Sequence, residues 1–252
     1  MAIAAFYFAI FAAVGLLLPY LPPYYRSLGF SGVQIAVLCS VGPMLSVVGP
    51  PAWGFLADRS RRPALVLQLL VVGATLAFVP VLAVTRFGPL LATLGVQALF
   101  ATSISSLADP IAVLEARRIG TTFARLRLWG SVGFIVASWL FSLHLDRGGA
   151  IAHVLPTLLG AYFLSLVASA RVSHVDPGTI APPPSLRQAA RLLARPSFAL
   201  FLVAGMLHWA SFSPLHLFWA IHLEGVGAEP RWIGAGLAIA VIAEVAVIAR
   251  RR

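Results

Sequence analysis

The sequence predicts an all-α membrane protein of about eight transmembrane helices, and three observations predict it. Hydrophobic residues make up 60% of the 252 and charged residues only 10%, with a mean hydropathy of +0.93. A soluble domain carries about 25% charged residues, so this chain has too little polar surface to cover a water-exposed globule. Eight stretches are long and apolar enough to cross a hydrocarbon core, which takes about 20 residues of helix. The basic residues, 18 in all and every one an arginine, are distributed unevenly between alternate links.

The first span, about Ala2 to Tyr25, carries no charge. It lacks the form of a cleaved leader: no basic residue precedes it, its apolar part is too long, and no small-residue cleavage site follows. Pro19, Pro22 and Pro23 in its last third are expected to bend it, which membrane helices tolerate where neighbours satisfy the freed carbonyls. Tyr20, Tyr24 and Tyr25 read as interfacial aromatics. The second span, Ser31–Ala57, contains Pro43, Pro50 and Pro51. The third is Pro63–Thr85, the fourth Gly88–Leu114, the fifth Thr121–Leu145 and the sixth Ala150–Ala170. The seventh is Ser197–His222 and the eighth Trp232–Ala249. Small residues on the fourth (Ala98, Thr102, Ser106) and fifth (Gly130, Gly133, Ala137) suit close helix approach, because lipid supplies no hydrophobic drive for association. The single cysteine, Cys39, excludes an internal disulfide and reads as a small packing residue.

The links assign the sides. Arg26, Arg86, Arg147 and Arg231 stand singly after the odd-numbered spans, whereas the other 14 arginines follow the even-numbered ones. The positive-inside rule then places both termini and the even links in the cytoplasm. Dispersal over several loops on one side, with no groove-reading or base-stacking module, excludes nucleic-acid binding. The longest link, 171–196, begins as a proline-containing linker. It continues as a short basic amphipathic helix over Ser185–Arg195, with Arg187, Arg191 and Arg195 four apart, suited to an anionic membrane surface. The chain therefore divides into six helices (1–170), a cytoplasmic bridge (171–196) and two further helices (197–252).

The hairpin between the fourth and fifth spans holds the charges that loop solvation explains least. Asp109 and Arg127 are 18 residues apart, and a turn near Arg118 leaves nine on each arm. At 1.5 Å per residue both lie roughly 13 Å from the turn, level with each other on antiparallel helices. An arginine can offer a carboxylate two parallel donors, and neither charge is cheap to bury alone. A structural ion pair and a solute site both satisfy that geometry. Glu115 and Arg125, nearer the turn, read as loop charges. No catalytic triad, phosphate loop or cysteine nucleophile is present, so no enzyme activity is expected. No carboxylate stands at metal-ligand spacing from the histidines of the seventh span, His208, His216 and His222, so neither metal nor cofactor is expected.

Between the second and third spans the chain reads Gly54-Phe55-Leu56-Ala57-Asp58-Arg59-Ser60-Arg61-Arg62. This resembles the loop signature of the major facilitator superfamily, although Ser60 and Arg61 fill the stretch where that family usually has a second glycine. Gly54 would permit close packing, and Asp58 with Arg59 and Arg62 would latch one conformation. Three further segments, Leu18-Pro19-Tyr20-Leu21-Pro22, Gly49-Pro50-Pro51-Ala52-Trp53-Gly54 and Arg125-Leu126-Arg127-Leu128-Trp129-Gly130-Ser131, are similar to the phenylpropionate-permease-like, lactose-permease-related branch. The resemblance implies a twelve-span bundle with its cavity between two halves, of which this chain covers the first half and the start of the second, ending after the eighth helix. It implies a proton symporter of a small organic solute, an aromatic acid, sugar or nucleoside, in a bacterial inner membrane. It places Asp109 and Arg127 on the solute, and Glu244, the acid of the eighth span, on the proton. His208 can join the proton path, since imidazole exchanges protons near neutrality. The other expectation is a partial bundle that does not transport until the missing helices are supplied.

Overall fold

The computed structural model describes residues 2–172, 191 and 194–249; of these, the side chains at 209, 212–214, 216 and 244–249 are left aside. Among the described residues the regular structure is all helical. The helices are α1 (Ala2–Ser27), α2 (Gly32–Leu45), α3 (Gly49–Ser60), α4 (Pro63–Phe78), α5 (Phe87–Ala101), α6 (Ile104–Arg118), α7 (Phe123–Asp146), α8 (Val154–Ser169), α9 (Pro196–Gly225) and α10 (Arg231–Ala249). Short 3₁₀ turns extend α4 (Val79–Leu82) and precede α8 (Ile151–His153). Among the described residues, six segments satisfy both the length and the apolarity of a membrane crossing: Ala2–Ser27, Gly32–Ser60, Pro63–Leu82, Phe87–Arg118, Phe123–Asp146 and Ile151–Ser169. α9 and α10 correspond to the seventh and eighth spans read from the sequence. The basic helix expected over Ser185–Arg195 lies outside the described residues, apart from 191, 194 and 195.

Two of the expected spans are broken, and the breaks face each other. In the second, Pro50 and Pro51 have no N–H to give to the carbonyls of Ser46 and Val47, so α2 ends at Leu45 and α3 restarts at Gly49. In the fourth, the Thr102 hydroxyl turns back onto the Ala98 carbonyl at 2.8 Å and the chain restarts at Ile104. Thr102 therefore ends a helix, where the small-residue stripe had it inside one. A Cβ on Gly49 would lie 2.9 Å from Thr102 Oγ1 and 3.1 Å from Ser103 Oγ, so glycine is what lets the breaks meet. Ser103 N turns to the Phe100 carbonyl. The Leu99 carbonyl accepts instead from Trp53 Nε1 at 2.8 Å, supplied by α3. A freed backbone acceptor inside a membrane bundle needs such a partner.

α1 is the central helix. It packs on α7, α8, α9 and α2, while α4 packs on α5, α6 and α8 and α10 packs on α7. Its three prolines leave it one continuous helix. The interfacial placement of its tyrosines does not hold. Tyr20, Tyr24 and Tyr25 are all buried, and Tyr20 donates to the Ser138 carbonyl of α7 at 2.7 Å. A hydroxyl that finds a buried acceptor no longer needs the headgroup region. The closest approach is again made by glycine. A Cβ on Gly133 of α7 would overlap the Phe8 backbone, and one on Gly15 of α1 would lie 2.6 Å from the Phe134 carbonyl oxygen.

Candidate functional site

The α6–α7 hairpin turns at Gly120, whose φ of +68° suits a residue without a Cβ. Thr122 then caps α7 by accepting from the Arg125 N–H. The arms bring Asp109 and Arg127 together, with Arg127 Nε 4.0 Å from Asp109 Oδ1. α1 completes the group. Tyr7, fully buried, donates from its hydroxyl to the same Asp109 Oδ1 at 2.6 Å. The Arg127 guanidinium lies over the Phe11 ring, 3.9 Å from its centroid, and 5.4 Å from that of Tyr7. Gly130, one turn on, leaves room for this stack: a Cβ there would lie 2.9 Å from Phe11 Cδ2 and 3.0 Å from Arg127 Nη1.

With 35% and 43% of the Arg127 and Asp109 side chains accessible, their attraction is screened and is of the order of 1 kcal/mol or less. The arginine is therefore placed as much by the aromatic face, worth about 0.5–2 kcal/mol, as by the carboxylate. Tyr7 and Phe11 gave no signal in the sequence, being two aromatics in an uncharged apolar run. The available clue was their spacing of four, which sets them one above the other on a helix face.

Arg127 lines a cavity of about 890 Å³. Most of its wall is apolar, drawn from α1, α2, α5, α7, α9 and α10; the polar contributors besides Arg127 include Gln97 and Ser131. Gln97 spends an amide proton on the Tyr162 hydroxyl at 2.8 Å, which leaves its carbonyl oxygen available as an acceptor. A concave apolar space with a few fixed polar groups is the usual form of a small-molecule site.

Residues 1–250 match the MFS_1 like family. The chain belongs to that family. It is 30% identical to the maltose permease of Geobacillus stearothermophilus, over 95% of this chain and 60% of the permease. It is 25% identical to the uncharacterized transporter YwbF of Bacillus subtilis (strain 168), over 97% of this chain and 61% of that protein. Its fold matches a crystal structure of the nucleoside transporter NupG with a TM-score of 0.81 at 19% identity, covering 99% of this chain and 65% of that one. The chain thus spans about 60% of the length of these curated relatives, and it is a multi-pass membrane protein.

The other residues singled out in this MFS_1-like chain stand apart from the Asp109–Arg127 group. Asp58, Arg59 and Arg62 are exposed at the α3–α4 turn, where Arg61 adopts a φ of +52°. Nothing lies within 4 Å of a Cβ on Gly54, so the close packing expected there is not made. Among the described residues Asp58 forms no ion pair. Glu115, read as a loop charge, has only 12% of its side chain accessible, with Arg118 Nε 3.6 Å from its Oε2. The i,i+3 spacing folds that arginine over the acid. His208 lies exposed on α9, two residues before the cavity-lining Ala210. Glu244 falls within α10, and its side chain lies outside the described residues. Among the described residues no three His, Cys, Asp or Glu side chains gather at one point.

Proposed function

We propose that this chain is the substrate-handling part of a secondary active transporter that moves a small organic solute across an inner membrane by alternating access, coupled to a proton. The observation that supports the reading is Arg127, a cation seated on an aromatic face at the wall of a cavity of about 890 Å³ and tethered to Asp109. In this reading the guanidinium and carboxylate hold the solute's polar groups and the apolar wall takes its hydrocarbon or ring face. The maltose permease and the nucleoside transporter favour a sugar or nucleoside, and an aromatic acid would also satisfy Arg127.

Residues 1–170 form one half, 171–196 a cytoplasmic bridge and 197–252 the beginning of a second half, with both termini cytoplasmic as the arginine distribution directs. Glu244, with His208, carries the proton, because an acid held inside a membrane helix is by default a functional group. The inward loop that carries Gly54, Asp58, Arg59 and Arg62 latches in the alternate conformation, since Asp58 forms no ion pair among the described residues here. The chemistry is transport and not catalysis.

The test is uptake of labelled sugars and nucleosides into vesicles, with external pH recorded. Arg127→Ala should reduce solute binding at least about tenfold, the loss expected when a truncated arginine leaves a partner group unpaired. Glu244→Gln should retain solute binding and lose solute-driven proton entry. Proton entry equal to that of the unaltered protein would remove Glu244 from the scheme.

A further inference from the structure

The second hairpin of the bundle, between α7 and α8, is built around two histidines. His144 is in the last turn of α7, and His153 closes the short 3₁₀ turn and caps α8. Their rings meet edge to edge, with His144 Nε2 2.8 Å from His153 Nδ1 and the centroids 5.0 Å apart. This is the end of α7 opposite the Asp109–Arg127 hairpin, His144 following Arg127 by 17 positions on the 24-residue helix.

The turn holds the pair in place. Gly148 has a φ of +84°, and Gly149 N–H donates to the His144 carbonyl at 2.9 Å. A Cβ on Gly149 would overlap the His144 ring, so only glycine leaves the imidazole its space. Phe141 flanks the same ring at 5.7 Å between centroids. On the other side the His153 N–H donates to the Ala150 carbonyl at 3.1 Å, and the His153 carbonyl accepts from Thr157 Oγ1 at 2.7 Å.

Two ring nitrogens facing each other at this distance share one proton, and that proton can be replaced by a metal. Neutral imidazole is the commonest metal ligand of proteins. At metal–nitrogen distances of about 2.0–2.1 Å, two imidazoles on one tetrahedral ion lie about 3.3 Å apart, so the pair need open by only about half an ångström. His153 is exposed and can make that movement. Water would fill the remaining positions, and exposed Asp146 and Arg147 follow in the same turn. We propose that His144 and His153 form a surface site for one divalent transition-metal ion of the imidazole-preferring class, Zn²⁺, Cu²⁺ or Ni²⁺. An ion held there would tie the end of α7 to the start of α8 across their connecting turn.

The experiment uses the purified chain, prepared without a histidine tag. Titration calorimetry with Ni²⁺ should show one site per chain. Electron paramagnetic resonance with one equivalent of Cu²⁺ should show two coordinated imidazole nitrogens. His144→Asn and His153→Asn should each leave one nitrogen and lower Ni²⁺ affinity well over tenfold. Gly149→Ala, which displaces the ring without removing a ligand, should lower it by about tenfold, the scale of a lost supporting contact. His208→Asn should change neither measurement. Because His153 is exposed, His153→Asn remains informative if His144→Asn fails to fold. Binding by His153→Asn equal to the unaltered protein, or no binding by the unaltered protein at millimolar metal, would overturn the proposal.

Discussion

α1 and α9 are alike in sequence and opposite in environment. Both are long, apolar and nearly uncharged, at 26 and 30 residues. Yet 17 residues of α1 are buried, whereas among the described side chains of α9 only Ala220 is. Leu200, Phe201, Met206 and Leu207 of α9 are each at least 66% exposed. What separates the helices is what their polar and small residues do. Tyr7 and Tyr20 of α1 hydrogen-bond onto α6 and α7, and Gly15 admits the α7 backbone. On α9 the Ser211 hydroxyl turns back to the His208 carbonyl, and Trp219 Nε1 donates to Ile233 O at 3.2 Å. In lipid, apolar surface gives no direction to a helix; polar handles and close backbone contacts decide which helix is central.

The largest break in this comparison should come from Gly133→Leu. The new side chain would start inside the Phe8 backbone, which has no rotamer with which to retreat, so α1 and α7 must separate. Overpacking a well-packed core commonly costs 1–3 kcal/mol, and a backbone obstacle should put this variant at about 3 kcal/mol or above. Thermal unfolding in detergent should show a large fall in Tm or loss of monodisperse protein. A Tm within a few degrees of the unaltered protein would mean that α1 is not centred on this seam.

Tyr7→Phe is next. It keeps the ring beneath Arg127 and removes one hydroxyl that donates to a carboxylate. Hydrogen bonds to charged groups contribute about 1.5–3 kcal/mol. With Asp109 still partly accessible, water can replace some of that, so the expected loss is near the lower figure. Solute binding measured on the same variant sharpens the point. If Tyr7 only orients Asp109, affinity should fall less than in Arg127→Ala. An equal fall would make the hydroxyl a solute ligand in its own right.

The helices and the level pairing of Asp109 with Arg127 were legible because each follows from counting: about 20 apolar residues for a span, nine residues per hairpin arm. The breaks at 46–48 and 102–103 were not. Pro50 and Pro51 announced the first, but nothing in the chain says that Thr102 will turn its hydroxyl inward until Gly49 is seen opposite it. Tyr7 and Phe11 were hidden for the same reason. An aromatic in an apolar run looks the same whether it faces lipid, core or a cation, and only the partner helix distinguishes these. The interfacial reading of Tyr20, Tyr24 and Tyr25 failed there, because nearness to a helix end was taken for nearness to water. His144 and His153 are nine apart across a double-glycine turn, a separation with no periodic meaning until the turn is folded.

The smallest effect is the sharpest control, because it applies one chemistry to both helices. Leu16 on α1 is 2% exposed and Leu207 on α9 is 66% exposed. Leu16→Ala leaves a void among α1's neighbours and loses dispersion contacts of about 0.1–0.2 kcal/mol each, a total of roughly 2 kcal/mol. The transfer part of the usual core penalty is small here, since lipid is as apolar as the space the leucine leaves. Leu207→Ala gives up no comparable packing and should stay within about 0.5 kcal/mol. Unfolding of the two variants side by side should therefore separate by a few degrees, with Leu207→Ala overlying the unaltered protein. If Leu207→Ala were instead as costly as Leu16→Ala, α9 would be packed against protein along its outer face in solution, and the contrast between the two helices would belong to this span of chain and not to the assembled bundle.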